Sequence, residues 1–377
     1  MCRNQFVFNV SVFALAFLSF HTMLGQDTPA AIQSGGGSNA AAPLNGGTGL
    51  PAQVPQPAPA AVEGRIHLDV VVTDKSGKPV SGLDLKDFTL LDNNQPAKIL
   101  SFHAVGGTVQ KAEPPVEVIL VLDTVNLPFQ AVSIVRQQIV NFLLQNGGHL
   151  AQPVSLFVLT NQGLDVQRRP TLDGTALAAE ASQLDNKLRT LPRSAGFWGA
   201  IERYQLSVQS MLLIAQDEEK KPGRKLLIWA GPGWPQFDNT RLKSTYKDQL
   251  QDFDLIVQLS TRLRETRISA YSISLGQPNF ETLLYKDHLN GVKTAGQAYL
   301  PNLGLKVLAV QSGGAVFGPD NDLTAQINRC VRDAQVFYTI SFDPPHAAQA
   351  NEYHKLEVRI DKPGLEVRTR AGYYNQP

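Results

Sequence analysis

The sequence predicts an α/β protein in which a doubly wound, mostly parallel sheet is inserted into a smaller β-sandwich. Three observations carry this. The middle of the chain alternates continuous apolar runs with amphipathic segments, as buried parallel strands alternate with covering helices. The segments on either side show period-two alternation, the mark of half-buried strands. Neither flanking segment is large enough to make a core alone, so residues 63–110 and 336–377 are expected to pair around an α/β domain at 115–335. Two independent β pieces are the alternative.

The N-terminus is of another kind. Arg3 precedes an apolar run over residues 6–20, interrupted only by Asn9 and two serines. A short basic region before such a run reads as a signal peptide over residues 1–25, with Gly25 before Gln26 as a cleavage point. The run is short of the roughly 20 apolar residues of a membrane span; an uncleaved anchor is the alternative. Residues 26–62 are Ala, Pro, Gly, Ser, Gln and Asn with almost no apolar bulk, and read as a disordered linker. An exported protein is expected, whether periplasmic, cell-surface or secreted.

Order begins near Arg65. RIHLDVVVTD places Ile66, Leu68, Val70 and Val72 on one face of a strand. KSGKP is a turn, with strands expected at residues 88–91 and 98–103 around a DNN turn. VEVILVLD is a buried strand ending at Asp123, followed by a helix at about 129–145 and a second buried strand, PVSLFVLT. Amphipathic segments fill about 175–191 and 199–217. KLLIWAGPGWP runs from a strand into a Gly/Pro loop, then come a helix at about 241–265 and the strand RISAYSISLG. Residues 277–301 read as a loop or lid, and helix, strand and helix follow to about residue 334. VFYTISFDPP, EYHKLEVRID and LEVRTRAGYY are the closing strands.

Composition excludes some functions. With Lys+Arg 34 against Asp+Glu 33 the net charge is +1, and no basic stripe is present, so neither nucleic acid nor a membrane surface is an expected partner. The two cysteines are Cys2, before the apolar run, and Cys330, in an apolar rhythm that reads as core.

The order and spacing of VVVTDKSGKPVSGLDLKDFTLLDNN, VILVLDTVN, PGRKLLIWAGPGW, LAVQSGGAVFGPDNDLTAQINR, YTISFDPP and GLEVRTRAGYY resemble the VWFA-related domain family known mainly from acidobacterial genomes. The resemblance runs from about Arg65 to Tyr374. It implies a von Willebrand A-like, Rossmann-like fold. It also implies a divalent ion at the C-terminal edge of the sheet, held by Asp-x-Ser-x-Ser, a loop threonine and a fourth-strand aspartate. Such oxygens suit Mg²⁺. Asp123 matches the first aspartate, but Val125 and Leu127 stand at the serine positions and the second aspartate falls near Gly231. Ser194 or Trp198 falls near the threonine. Thr124 and Asn126 carry oxygens offset by one residue. The expectation is a degenerate, vestigial site at Asp123 and no cofactor, with Mg²⁺ at altered ligands as the alternative.

Other chemistry lacks its residues. A haloacid-dehalogenase-type hydrolase needs a second aspartate where Val125 stands. No G-x-S-x-G or P-loop occurs. No H-x-H or H-E-x-x-H supports zinc. GPDNDL lacks the length and glutamate of an EF-hand, and Asp320 or Asp322 is read as a helix cap. Aromatic residues near expected loop ends stand out: Phe197, Trp198, Trp234, Phe237, Tyr285 and Tyr299. Trp198 and Trp234, with Thr124 and Asn126, are the partner-binding candidates, at the edge where open α/β sheets hold ligands; the aromatic residues, both tryptophans included, are read equally as filling the space of the missing ion. The expected function is a non-catalytic interaction or adhesion module for a protein or cell-envelope partner. A metal-dependent adhesion domain and an enzyme on an α/β scaffold are the alternatives.

Overall fold

A computed structural model describes residues 64–106, 114–166, 169–186, 196–235, 237, 245–276 and 284–377. The expected signal segment, the linker and Ser194 lie outside the described residues. β1 (Ile66–Asp74) buries Ile66, Leu68, Val70 and Val72, as its alternation requires. β2 (Phe88–Asp92) turns through Asn93 and Asn94, at φ 48° and 65°, into β3 (Gln95–Ala97). Two left-handed residues are what a two-residue hairpin demands. β4 (Ser101–Val105) follows. The strand expected at 98–103 is β4, which begins only at Ser101, and β3 ahead of it is unexpected. Pro96 lies in β3, at the edge of its sheet, where a missing N–H costs no ladder bond.

The middle of the chain forms β5 (Glu117–Asp123), α1 (Phe129–Leu143), β6 (His149–Thr160), β7 (Gly163–Val166), β8 (Thr171–Asp173), α2 (Gly174–Ser182) and α3 (Gly196–Glu218). β9 (Lys225–Ala230), α4 (Tyr246–Glu265), β10 (Ile268–Ile273), α5 (Leu305–Gln311), β11 (Ala315–Phe317) and α6 (Leu323–Arg332) complete it. The sheet order is β11-β10-β9-β5-β6-β7, with β8 also on β6. All pairs are parallel except those of β7 and β8 with β6. Apart from β8 this is the doubly wound order, which reverses direction between β5 and β9. Every residue of β5, β9 and β10 is buried, as strands covered on both faces must be. α1, α2 and α6 pack on one face, and α3, α4 and α5 on the other. Asp322 caps α6, accepting from Ala325 N at 2.8 Å, and Cys330 is core.

The chain ends in β12 (Phe337–Phe342), β13 (Glu352–Ile360), β14 (Leu365–Arg368) and β15 (Gly372–Asn375). LEVRTRAGYY is thus not one strand. It breaks where Thr369 Oγ1 donates to the Asp69 carbonyl at 2.9 Å and Ala371 N to the Gln311 carbonyl at 3.1 Å, so the chain crosses from one sheet to another. Two four-stranded antiparallel sheets result, β14-β1-β12-β4 and β15-β13-β2-β3. Each combines strands from before and after the α/β unit, and both contribute to one apolar cluster that includes Val70, Leu90, Tyr338, Phe342 and Tyr373. Largely buried ion pairs join this part to the parallel sheet. Asp69 of β1 pairs with Arg267, just ahead of β10, and accepts from Thr339 Oγ1 at 3.1 Å. Asp333 pairs with Arg368 and accepts from Tyr271 OH at 2.7 Å.

Candidate functional site

The crevice of a doubly wound sheet opens beyond the C-terminal ends of the strands where the order reverses. Here those strands are β5 and β9, and Asp123 is the last residue of β5. Its carboxylate is fully buried and closed by four hydrogen bonds. Oδ1 accepts from Val125 N at 3.1 Å and Asn126 N at 2.9 Å. Oδ2 accepts from Asn126 Nδ2 and from the indole Nε1 of Trp229, each at 2.8 Å. Burial pushes the carboxyl above its usual value, against the pull of these donors.

The surroundings are equally occupied. Thr124 Oγ1 donates to the Leu159 carbonyl at 2.7 Å, and Asn126 Nδ2 also reaches Ser207 Oγ at 3.0 Å. Gly231 lies against Asp123: a Cβ there would stand 2.9 Å from Asp123 Cβ, so no aspartate fits at that position without displacing it. Val125 and Leu127 are buried apolar side chains. A hard divalent ion needs several oxygens with lone pairs turned toward it. Both Asp123 oxygens are committed to N–H groups, and Asn126 Oδ1 is one amide oxygen. These residues do not fit Mg²⁺. Among the described residues no cluster of three or more His, Cys, Asp or Glu is placed to hold a metal ion.

From Trp229 an aromatic series runs outward. Trp229 and Trp234 meet edge-on with centroids 5.3 Å apart; Tyr204 contacts Trp234 at 6.5 Å and Phe237 at 5.5 Å. Phe237 contacts Phe197 at 6.1 Å, and Phe197 contacts Trp198 at 5.6 Å. The two tryptophan candidates therefore differ. Trp234 is 4% exposed and fills the interior beside Trp229, so it is not a surface anchor. Trp198 is 62% exposed at the start of α3. Phe129 opens α1 at 65% and Tyr246 opens α4 at 68%. α1 and α4 follow β5 and β9, whereas α3 precedes β9 and runs back to its start. All three helices therefore begin at the C-terminal edge of the sheet, each with one exposed aromatic residue, and these three residues make up the aromatic rim of that edge.

Trp229, Ser207, Phe129 and Tyr246 were not singled out from the sequence. Trp229 had a signal: an indole N–H within a buried strand needs an acceptor, and an aspartate ends the strand expected next to it. On α4, burial and the neighbouring Asp248 raise the Asp252 carboxyl to about 7. A carboxyl raised in the folded state binds its proton more tightly there than in the unfolded chain. Its stabilising effect is present while it is protonated and fades as pH rises from about 4 to about 7. Asp252→Asn should therefore raise the melting temperature by a few degrees at pH 8 and hardly at all at pH 4, as thermal denaturation at the two pH values would show.

The chain is thus a mixed α/β protein with a mostly parallel central sheet and additional antiparallel sheets. Among the described residues no helix is long and apolar enough to cross a membrane. No family model matches the chain, and no curated protein matches its sequence. Among solved structures it is similar to proximal thread matrix protein 1 from the mussel byssus, at 10% identity and TM-score 0.33, over 62% of this chain and 50% of that one. The chain thus spans half the length of the mussel protein. It is similar also to the SpRpn10 VWA domain, at 13% identity and TM-score 0.28, over 57% of this chain and 95% of the domain. The TFIIH p34 N-terminal domain matches at 10% identity and TM-score 0.24, over 56% of this chain and 95% of that one. Likeness of this degree says nothing of activity or partner, and the α/β assignment stands on the chain's own strand order.

Proposed function

We propose that this chain is an exported, non-catalytic interaction module. In this reading a von Willebrand A-like unit is inserted into a β-sandwich, and the sheet edge engages a protein or cell-envelope partner without a metal ion. The observation that carries the reading is the pairing of a closed carboxylate with an open aromatic rim. Asp123 is tied to Trp229, while Trp198, Phe129 and Tyr246 stand exposed at the starts of helices that begin at the same edge of the sheet. Exposed aromatic residues at one edge are favoured anchors for a protein surface. The strand order supports the von Willebrand A-like part, and the mixing of early and late strands in both antiparallel sheets supports the insertion. Export rests on Arg3 and the apolar run behind it.

The test is capture of envelope proteins by the immobilised chain in EDTA, compared with Trp198→Ala and Phe129→Ala. Both residues are exposed, so the variants should melt with the parent. Each should weaken a captured partner by about tenfold, the cost of losing one aromatic anchor. Capture that needs added Mg²⁺, or that both variants leave unchanged, would refute the reading.

A further inference from the structure

We propose that a second site, a cleft of about 990 Å³ that shares no lining residue with the aromatic rim, binds a neutral, hydroxyl-rich ligand of the oligosaccharide class. The cleft lies where the antiparallel sheets meet the stretch between β10 and α5. Asn93, Asn94, Gln349 and Tyr353 line it from the first, and Asn290, Gln297 and Asn302 from the second. Its volume is at the upper end of the roughly 300–1,000 Å³ usual for ligand sites, enough for several sugar rings.

The chemistry of the lining selects the ligand. Asp287 and Glu352 oppose Lys293 and Lys355, so the charged side chains at the cleft cancel and no charged ligand is favoured. What dominates is carboxamide, which both donates and accepts hydrogen bonds, as vicinal hydroxyls do. Several amides are held in place. Asn93 Oδ1 accepts from Lys355 N at 2.9 Å, Gln297 Oε1 from Lys293 N at 3.0 Å, and Asn302 Oδ1 from Tyr299 N at 3.0 Å. Each oxygen is spent on backbone, which orients the NH₂ group as a donor. Asn94, Asn290 and Gln349 are exposed and bring whole amides to the cleft.

The two sides are also fastened together, so the cleft exists before any ligand arrives. Gly291 has no room for a side chain, because the Tyr353 ring lies where its Cβ would be. Tyr353 packs on Tyr374 with centroids 5.3 Å apart, and Tyr374 OH donates to the Val292 carbonyl at 2.9 Å. Tyr353 and Tyr299, with Leu289, Val292 and Ala371, give the lining apolar carbon beside its amides, and the C–H face of a pyranose packs on aromatic surface.

The experiment is calorimetric titration of the full chain with two neutral probes, tetra-N-acetylchitotetraose and maltotetraose. Tetragalacturonate and an uncharged Ala/Gly pentapeptide serve as comparisons. Saturable binding of at least one neutral saccharide is expected. Asn290→Ala and Gln349→Ala should each weaken it about tenfold, the loss of a well-placed hydrogen bond, at an unchanged melting temperature. Trp198→Ala should leave it unaltered, which separates this site from the rim. Absence of binding by both neutral saccharides, preference for the acidic saccharide or the peptide, or indifference to both cleft substitutions would overturn the proposal.

Discussion

Asp123→Ala should destabilise the protein by about 2–4 kcal/mol, although the residue resembles a ligand rather than a structural element. The substitution removes the acceptor of four N–H donors, those of Val125, Asn126 (backbone and amide) and Trp229. A buried donor left without a partner costs about 1–3 kcal/mol. An opposing effect keeps the sum below four such losses: burial already strains the carboxylate, as its raised pKa shows, and the substitution relieves that strain. Asp123→Asn should fall between parent and alanine, because its NH₂ group faces donors where the parent has an acceptor. Urea denaturation of the three proteins would read this order. A parent-like midpoint for Asp123→Ala would mean that the hydrogen bonds around Asp123 contribute little.

Deleting residues 336–377 should unfold the antiparallel part altogether. β1 pairs with β12 and β14, β4 pairs with β12, and β2 pairs with β13, so the deletion strips sheet partners from three of the four early strands. It also exposes Ile66, Leu68, Val70, Phe88 and Leu90, which the late strands help to cover. Of the four strands left, only β2 and β3 still pair, and an isolated hairpin without a covered face is marginal in water. Residues 64–106 should then be cleaved by dilute protease and should resist it in the full chain. A truncated chain that melts and resists protease like the parent would contradict the pairing of the two flanking segments.

Much of this architecture was legible because it is written in local periodicity. VEVILVLD and KLLIWA are continuous apolar runs, and they form β5 and β9, buried on both faces. The alternation of IHLDVVVT gives β1 its apolar face, and the DNN turn closes the hairpin of β2 and β3. What escaped depends on distant partners. β7 and β8 are only four and three residues long, and their pairing with β6 makes them strands. LEVRTRAGYY alternates smoothly throughout, yet contacts to Asp69 and Gln311 break it.

The candidate site divides the same way. That Asp123 lacks its partner ligands could be read from Val125, Leu127 and Gly231. What closes it instead, an indole 106 residues away in sequence, could not. Trp198 and Trp234 looked alike as aromatics near loop ends; only packing places one on the surface and the other beside Trp229.

The central proposal is that the sheet edge works without a metal ion. Its most direct test is calorimetric titration of the metal-stripped full chain with Mg²⁺, Mn²⁺ and Ca²⁺. With both Asp123 oxygens already committed to N–H donors, none of the three ions should give saturable heat. Saturable binding of any of them that Asp123→Asn abolishes would contradict the account and return the edge to metal-dependent adhesion.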